Sequence, residues 1–314
     1  MIHPLHLKTK ITDDPAEAGR ILKEGGVVVF PTETVYGIGA SSLLTKSCER
    51  IYDIKNRPKD NPLIVHFHNI ESTYEYVHID EKYKELMREY SPGPITYILE
   101  KKKEIYSSNL NTVGVRIPTQ KVCIEMLKIA GPVSAPSANL SGKPSITSFE
   151  DACDVFDGKV DCILKGSPSE YGIESTILDL FSNPPRILRP GIISEKEVKK
   201  FIPNLASIFS SDRLEIIAPG LKYRHYSPNC EVKIIKTPLF QAFQQNSAFI
   251  GFEKIKELEF TKIVRDNREY MQELYSFFIQ CDKKNIHIAY CQYPLDDNYT
   301  DGILNRLMKA EMKK

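Results

Sequence analysis

The sequence predicts an α/β protein: a twisted mixed sheet over the first two thirds of the chain, followed by a small open-sheet α/β unit. Three observations carry this reading. Short apolar runs such as GGVVVF (25–30) and PLIVHF (62–67) alternate with helical stretches, the pattern of a sheet covered by helices. DCILKG, STILDL and PRILRP follow one another closely as strands, so the pattern is mixed rather than strictly alternating. From about Ile202 to Cys230 regular signals lapse, and beyond that a second set of strands and helices begins.

Taken in order, PAEAGRILKEG reads as a helix whose apolar face includes Ile21 and Leu22 and which glycines end, and GGVVVF as the buried strand after it. TKSCERIYDIK (45–55) carries a threonine cap signal and apolar Ile51 and Ile54, which predict a short helix. NRPKDNP is then a loop and PLIVHF a strand. ITYILEKK (95–102) and VGVRIP (113–118) predict strands, TQKVCIEMLKIAG a helix, and PVSAP a short strand entering the serine-rich SAPSANLSGKPS (134–145). A helix capped near Thr147 or Ser148 follows. Past the linker, EVKIIK, SAFIGFE, TKIV and NIHIAYCQ predict strands, with DNREYMQELYSFFIQCDKK and TDGILNRLMKAEMKK as helices. The boundaries are a first domain over 1–202, a linker or lid over 203–230, and a small open-sheet, Rossmann-like α/β domain over 231–314.

The chain has 314 residues with 41% hydrophobic content, enough for a substantial core. Lys plus Arg number 42 against 41 for Asp plus Glu, a net charge of +1, so no global field draws the chain to nucleic acid or an anionic membrane. Any polyanion site must be local. The seven cysteines are scattered without a C-x-x-C pair, which fits reduced core thiols rather than a disulfide framework. No stretch approaches the length of a membrane span, and the N-terminal segment lacks a basic region followed by a long apolar run, so a cytoplasmic location is expected.

LSGKPS tempts one toward a phosphate-binding P-loop, but Ser137 and Pro144 stand where that motif needs Gly and Ser or Thr. YGIGASS approaches a dinucleotide fingerprint, with Ser42 in place of its third glycine. His66 and His68 share a face by period two but lack a third ligand, so a metal site is not expected. More informative is Lys55-x-Arg57-Pro58-x-x-Asn61-Pro62, two cations on proline-stiffened backbone at a helix end. Arg116 in GVRIP and Arg189 in LRPG each end a predicted strand, where strand ends of an α/β sheet line a crevice. Cations so placed suit a polyphosphate or a carboxylate. Such a pocket also wants the hydroxyls and amides that SAPSANLSGKPS supplies, and carboxylates within it would repel the ligand.

In this order PTETVYGIGA, KNRPKDNPLIVH, GVRIP, SAPSANLSGKPS, ESTILDL, RILRPG and PGLKYRHYSP resemble the YrdC-like family of threonylcarbamoyl-adenylate synthases in its two-domain form. The resemblance covers roughly residues 10–230, and the remainder is similar to the smaller C-terminal domain of the longer members. It implies that L-threonine, bicarbonate or CO2, and ATP with Mg2+ give threonylcarbamoyl-AMP and pyrophosphate. A separate tRNA threonylcarbamoyl transferase would then use the product to make threonylcarbamoyladenosine in tRNAs that read ANN codons.

The same resemblance implies roles for residues. Lys55 and Arg57 would be catalytic, stabilising charge as phosphorus is attacked. Thr34, His66, Arg116, Ser137 and Ser175 would contact threonine and carbamate, with Arg116 on the amino-acid carboxylate. Arg57, Asn61, Thr112, Asn139, Thr147, Arg189 and Tyr226 would contact ATP, with His225 beside Tyr226 in a closing linker. SAP stands where the family more usually has Ser-Thr or Pro-Thr ahead of S-A-N, which leaves the key pair intact but changes the local backbone. The competing readings are an RNA-binding module gripping phosphates through Lys55, Arg57, Lys59, Arg116 and Lys143, a regulatory nucleotide-binding protein without turnover, and a carbamoyl-phosphate enzyme of the hydrogenase-maturation type. The last is disfavoured because cysteine-rich zinc-finger segments are missing. The near-zero net charge leaves room only for a weak RNA contact.

Overall fold

The computed structural model describes residues 8–107, 110–206, 226–237, 243–255, 258 and 260–312. The first domain contains β1 (Lys10–Thr12), α1 (Pro15–Lys23), β2 (Val28–Phe30), β3 (Gly37–Ser41), α2 (Thr45–Lys55), β4 (Ile64–His66), β5 (Val77–His78), α3 (Lys84–Tyr90), β6 (Ile95–Lys101) and β7 (Thr112–Arg116). It continues with α4 (Lys121–Ala130), β8 (Val133–Ala135), α5 (Phe149–Phe156), β9 (Cys162–Leu164), β10 (Thr176–Asp179), β11 (Arg186–Arg189) and α6 (Glu195–Lys199). The second contains β12 (Glu231–Ile235), β13 (Ser247–Gly251), β14 (Phe260–Ile263), α7 (Asn267–Lys283), β15 (Ile288–Gln292) and α8 (Thr300–Glu311).

The first sheet runs β1-β9-β2-β3-β8-β4-β7-β6-β10-β11 with β5 beside β6, and it mixes parallel pairs such as β4–β7 with antiparallel ones such as β6–β7. The mixed sheet read from the sequence is thus present. Alternation in β2 and β9 buries both faces: Val28, Cys162 and Leu164 pack with Leu22, Met126 and Leu127 of α1 and α4. Val29 and Ile163 pack with Ile51, Tyr52 and Phe156 of α2 and α5. Side-chain caps start α1, α5, α6 and α7. Asp14 caps α1 by accepting from the Ala16 amide, and Ser148 caps α5 by accepting from the Asp151 amide. The threonine cap expected for α2 is not made: Leu44 holds the N-cap position without a side-chain bond, and Thr45 is already helical. That helix ends at Asn56, whose φ of 50° is the left-handed conformation asparagine tolerates better than most residues.

The second sheet, β12-β15-β13-β14, is parallel at every pairing, as an open-sheet unit requires. One apolar cluster runs from Tyr97, Val115, Leu178 and Ile192 of the first domain into Leu274, Phe278, Ile303 and Leu307 of the second, so the two are packed together through a shared core. At Gly302 of α8 an added Cβ would lie 2.7 Å from the Gly191 carbonyl oxygen, which shows how closely the helix sits on the turn after β11. The proposed linker is described at 203–206 and 226–230, while His225 lies outside the described residues. Among the described residues no helix is long and apolar enough to cross a membrane.

Candidate active site

Strand ends gather the cations. Arg116 ends β7 and faces His66 at the end of β4 in parallel register, and Arg189 ends β11 opposite Ile177 of β10. Between them lies a cleft. Arg57, His66, Arg116, Ser137, Ser175, Arg189 and Tyr226 line it, all from the residues singled out in the sequence.

Arg116 is 4% exposed and pairs through Nη2 with Glu33 Oε1 at 2.6 Å. Glu33 is itself fixed, its Oε2 accepting from the Thr119 amide at 3.0 Å. The Arg116 Nε is buried and has no hydrogen-bond partner. A guanidinium with a vacant donor in a cleft wants an acceptor from a ligand. His66 gives its Nδ1 hydrogen to the Ile64 carbonyl at 3.2 Å, and burial, reinforced by Arg116, pushes its pKa down to about 3. The ring is therefore neutral at working pH.

The serine-rich segment extends β8 along the start of β3. Ile38 N donates to Pro136 O at 3.1 Å and Ala138 N to Tyr36 O at 2.6 Å, which holds Ser137 beside Gly37 at the cleft. Ser137 Oγ donates to Asn139 Oδ1 at 2.6 Å. Lys55, at the end of α2, does not line the cleft. Its buried ammonium donates to Ser137 O at 2.6 Å, to Asn139 O, and to Asn139 Oδ1 at 3.2 Å. Burial, followed by repulsion from Arg57, holds its pKa well below the usual lysine range. An amine with three oxygen acceptors is thus stationed behind the loop and shapes it. Arg57 donates to Asn61 O at 3.2 Å and Pro62 O at 2.8 Å, so the stiff loop read from the prolines fixes this guanidinium by its backbone, with Asn61 contributing its carbonyl.

On the opposite wall Arg189 donates to Ser175 O through Nε at 3.1 Å and Nη2 at 2.9 Å, and reaches Ser175 Oγ at 3.3 Å. Ser175 Oγ also meets Thr96 Oγ1 at 2.8 Å. Tyr226, with a φ of 68°, places its ring over the cleft, stacked on Tyr275 at 5.6 Å. The remaining sequence-predicted residues do not line the cleft, and Thr112 stands at the end of β7 away from it. Thr34 Oγ1 is 3.0 Å from Thr32 Oγ1, Thr147 sits just before the cap of α5, and Thr112 starts the strand that Arg116 ends.

The expectation that carboxylates stay away from this site is overturned. Glu174 lines the cleft and Glu33 sits directly behind it, each neutralised by an arginine. Glu174 accepts from Ser145 Oγ at 2.5 Å, Tyr275 OH at 2.9 Å and Arg306 Nε at 3.0 Å. Burial alone would raise its pKa, but Arg306, Arg189 and the Ser145 bond outweigh it and leave the carboxyl below its ordinary value. Sequence reading passed over Glu33, Glu174 and Arg306. The first two stand inside the quoted PTET and EST motifs. Arg306 could have been found because it shares a helical stripe with Ile303, Leu307 and Ala310, an arginine on an otherwise apolar face.

A mixed α/β fold whose strand ends assemble arginines, hydroxyls and a neutral histidine around a cleft defines a small-molecule enzyme for anionic substrates. The chain belongs to the Sua5/YciO/YrdC family: residues 20–191 match that family, described as telomere recombination, and residues 193–311 match the threonylcarbamoyl-AMP synthase C-terminal domain. The threonylcarbamoyl-AMP synthase of Bacillus subtilis is 35% identical over 324 aligned residues, covering 95% of this chain and 94% of that one. That of Pyrococcus abyssi is 38% identical, covering 70% of this chain and 67% of its own length. The crystal structure of P. abyssi Sua5 complexed with L-threonine superposes with a TM-score of 0.88 at 31% identity, covering 95% of this chain and 94% of that one.

Proposed function

We propose that this cleft joins L-threonine, bicarbonate-derived CO2 and MgATP into threonylcarbamoyl-AMP and pyrophosphate. The observation that carries the reading is the buried Nε of Arg116, without a hydrogen-bond partner, on a residue that lines the cleft together with Arg57 and Arg189. Threonine's amine and bicarbonate give a carbamate and water. A carbamate oxygen then forms the new bond to the α-phosphorus as the bond to the β-phosphate oxygen breaks, and pyrophosphate leaves with that electron pair. Such a step needs positioning and charge stabilisation more than a protein nucleophile.

Arg116, neutral His66, Ser137, Ser175 and the underlying Thr34 serve threonine and the carbamate. Arg57, Arg189 and Tyr226 serve the nucleotide, with Asn61, Asn139 and Thr147 supporting the walls and Lys55 holding the backbone behind Ser137 and Asn139, while Thr112 lies at the opposite end of β7 from Arg116. Magnesium arrives with the triphosphate. Among the described lining residues Glu174 is the one carboxylate, and its oxygens are taken by Ser145, Tyr275 and Arg306, so phosphate and water would supply the metal's ligands. The product is a labile mixed anhydride, which a separate transferase would pass to tRNA in the cytoplasm.

The test is pyrophosphate release with MgATP and bicarbonate, with and without L-threonine, and with L-serine as control. Release should depend on threonine and bicarbonate. Arg116→Lys, which loses the planar fork, should raise KM for threonine about tenfold or more while KM for ATP stays near wild type. ATP binding without threonine-dependent release would instead favour the regulatory or RNA-binding reading.

A further inference from the structure

Arg306 belongs to the second domain, yet its guanidinium is 0% exposed and sits against the first domain's cleft. Nε pairs with Glu174 Oε2 at 3.0 Å, Nη2 donates to Glu174 O at 2.9 Å, and Nη1 donates to Pro190 O. Glu174 and Pro190 are the chain neighbours of Ser175 and Arg189, the two cleft residues that are hydrogen-bonded to each other. One planar cation therefore clamps both segments from outside.

The same group reaches the other walls. Its central carbon lies 5.5 Å from the Tyr226 ring centroid, on a ring that Tyr275 stacks at 5.6 Å. Tyr275 OH donates to the Glu174 oxygen that Arg306 holds, and Ser145 of the serine-rich segment donates to the other. Ile303 and Leu307 beside it already supply apolar contact. A buried ion pair stabilises a fold no better than a well-packed apolar side chain of similar volume, whereas it specifies orientation through its fork of donors.

We propose that Arg306 is a positioning residue of the adenylate-forming site, holding Ser175, Arg189 and Tyr226 in register, so that the second domain completes the active site. This rests on the proposed function, and the assay separates the two. Full-length wild type, Arg306→Met and Arg306→Lys are compared for kcat, for both KM values, and for hydrogen exchange in the peptide spanning 226–235. With wild type showing threonine-dependent release, Arg306→Met should lower kcat about tenfold or more, raise KM for ATP, and speed exchange at residues 226–230. Arg306→Lys keeps the charge opposite Glu174 but cannot also reach Pro190 O, and should fall between. A purely structural role would scale kcat with the folded fraction and leave both KM values unchanged, which would overturn the proposal. Where Arg306→Met does not fold, wild-type kinetics in Arg306→Lys would overturn it equally. Absence of threonine-dependent release in the wild type would remove the function on which it stands.

Discussion

Replacing His66 by glutamine tests the electrostatics of the cleft through the pH dependence of folding. The ring is 5% exposed, meets Phe30 edge to face at 6.0 Å, and lies in register with Arg116, so burial and then the neighbouring cation hold its pKa at about 3. In the unfolded chain a histidine titrates near 6.5. The folded value is the lower one, so the unfolded state takes up the proton first as pH falls. Stability is therefore complete above about pH 6.5 and is lost on the way down toward pH 3. At pH 5 the loss works out at ~2 kcal/mol and at pH 4 at ~3 kcal/mol; any folded value below about 4 gives nearly the same figure at pH 5. Glutamine stays neutral throughout and retains a donor for Ile64 O. Urea unfolding at pH 8 and pH 5 should show wild type losing about 2 kcal/mol more than His66→Gln, other carboxylates and histidines cancelling in the difference. Equal losses in the two proteins would refute the argument, because the ring would then be protonated, or solvated, in the folded state.

Two further outcomes follow from buried Lys55 and half-buried Lys309. Lys55→Met should cut threonine-dependent pyrophosphate release about 100-fold or more while thermal unfolding stays cooperative, since the ammonium shapes the Ser137–Asn139 wall where charge develops; turnover near wild type would show that the loop holds its shape unaided. Lys309, 5.9 Å from the Tyr226 ring centroid, has its pKa pushed down to about 7 by burial and by Arg306 and Arg189. Between there and the ordinary lysine range the unfolded state holds a proton that the folded state has shed, so wild-type stability should rise as pH increases from 7 to 9. Lys309→Met should gain less than wild type between the two pH values, measured as the denaturant midpoint at each.

How much of this was legible in the sequence depends on how far apart the interacting residues lie. Apolar runs such as VVVF and LIV become buried strands because their alternation is a local property, and Arg116 and Arg189 are found at strand ends because a strand end is locally marked by proline. The threonine cap failed locally too: capping geometry depends on the backbone of Leu44, which a residue-type rule does not see. The rule that carboxylates avoid an anion pocket failed for a different reason. It treats charge as a property of one residue, whereas Glu33 is cancelled by Arg116, 83 positions away, and Glu174 by Arg306, 132 positions away. Each carboxylate then does what a bare cation pocket cannot: it orients an arginine, freeing Nε of Arg116 for a ligand and tying Arg306 to both cleft walls. Since that second pairing crosses between domains, the geometry of the cleft depends on how the second domain is docked, and a catalytic role read from the first domain's motifs alone leaves out the residue that braces them.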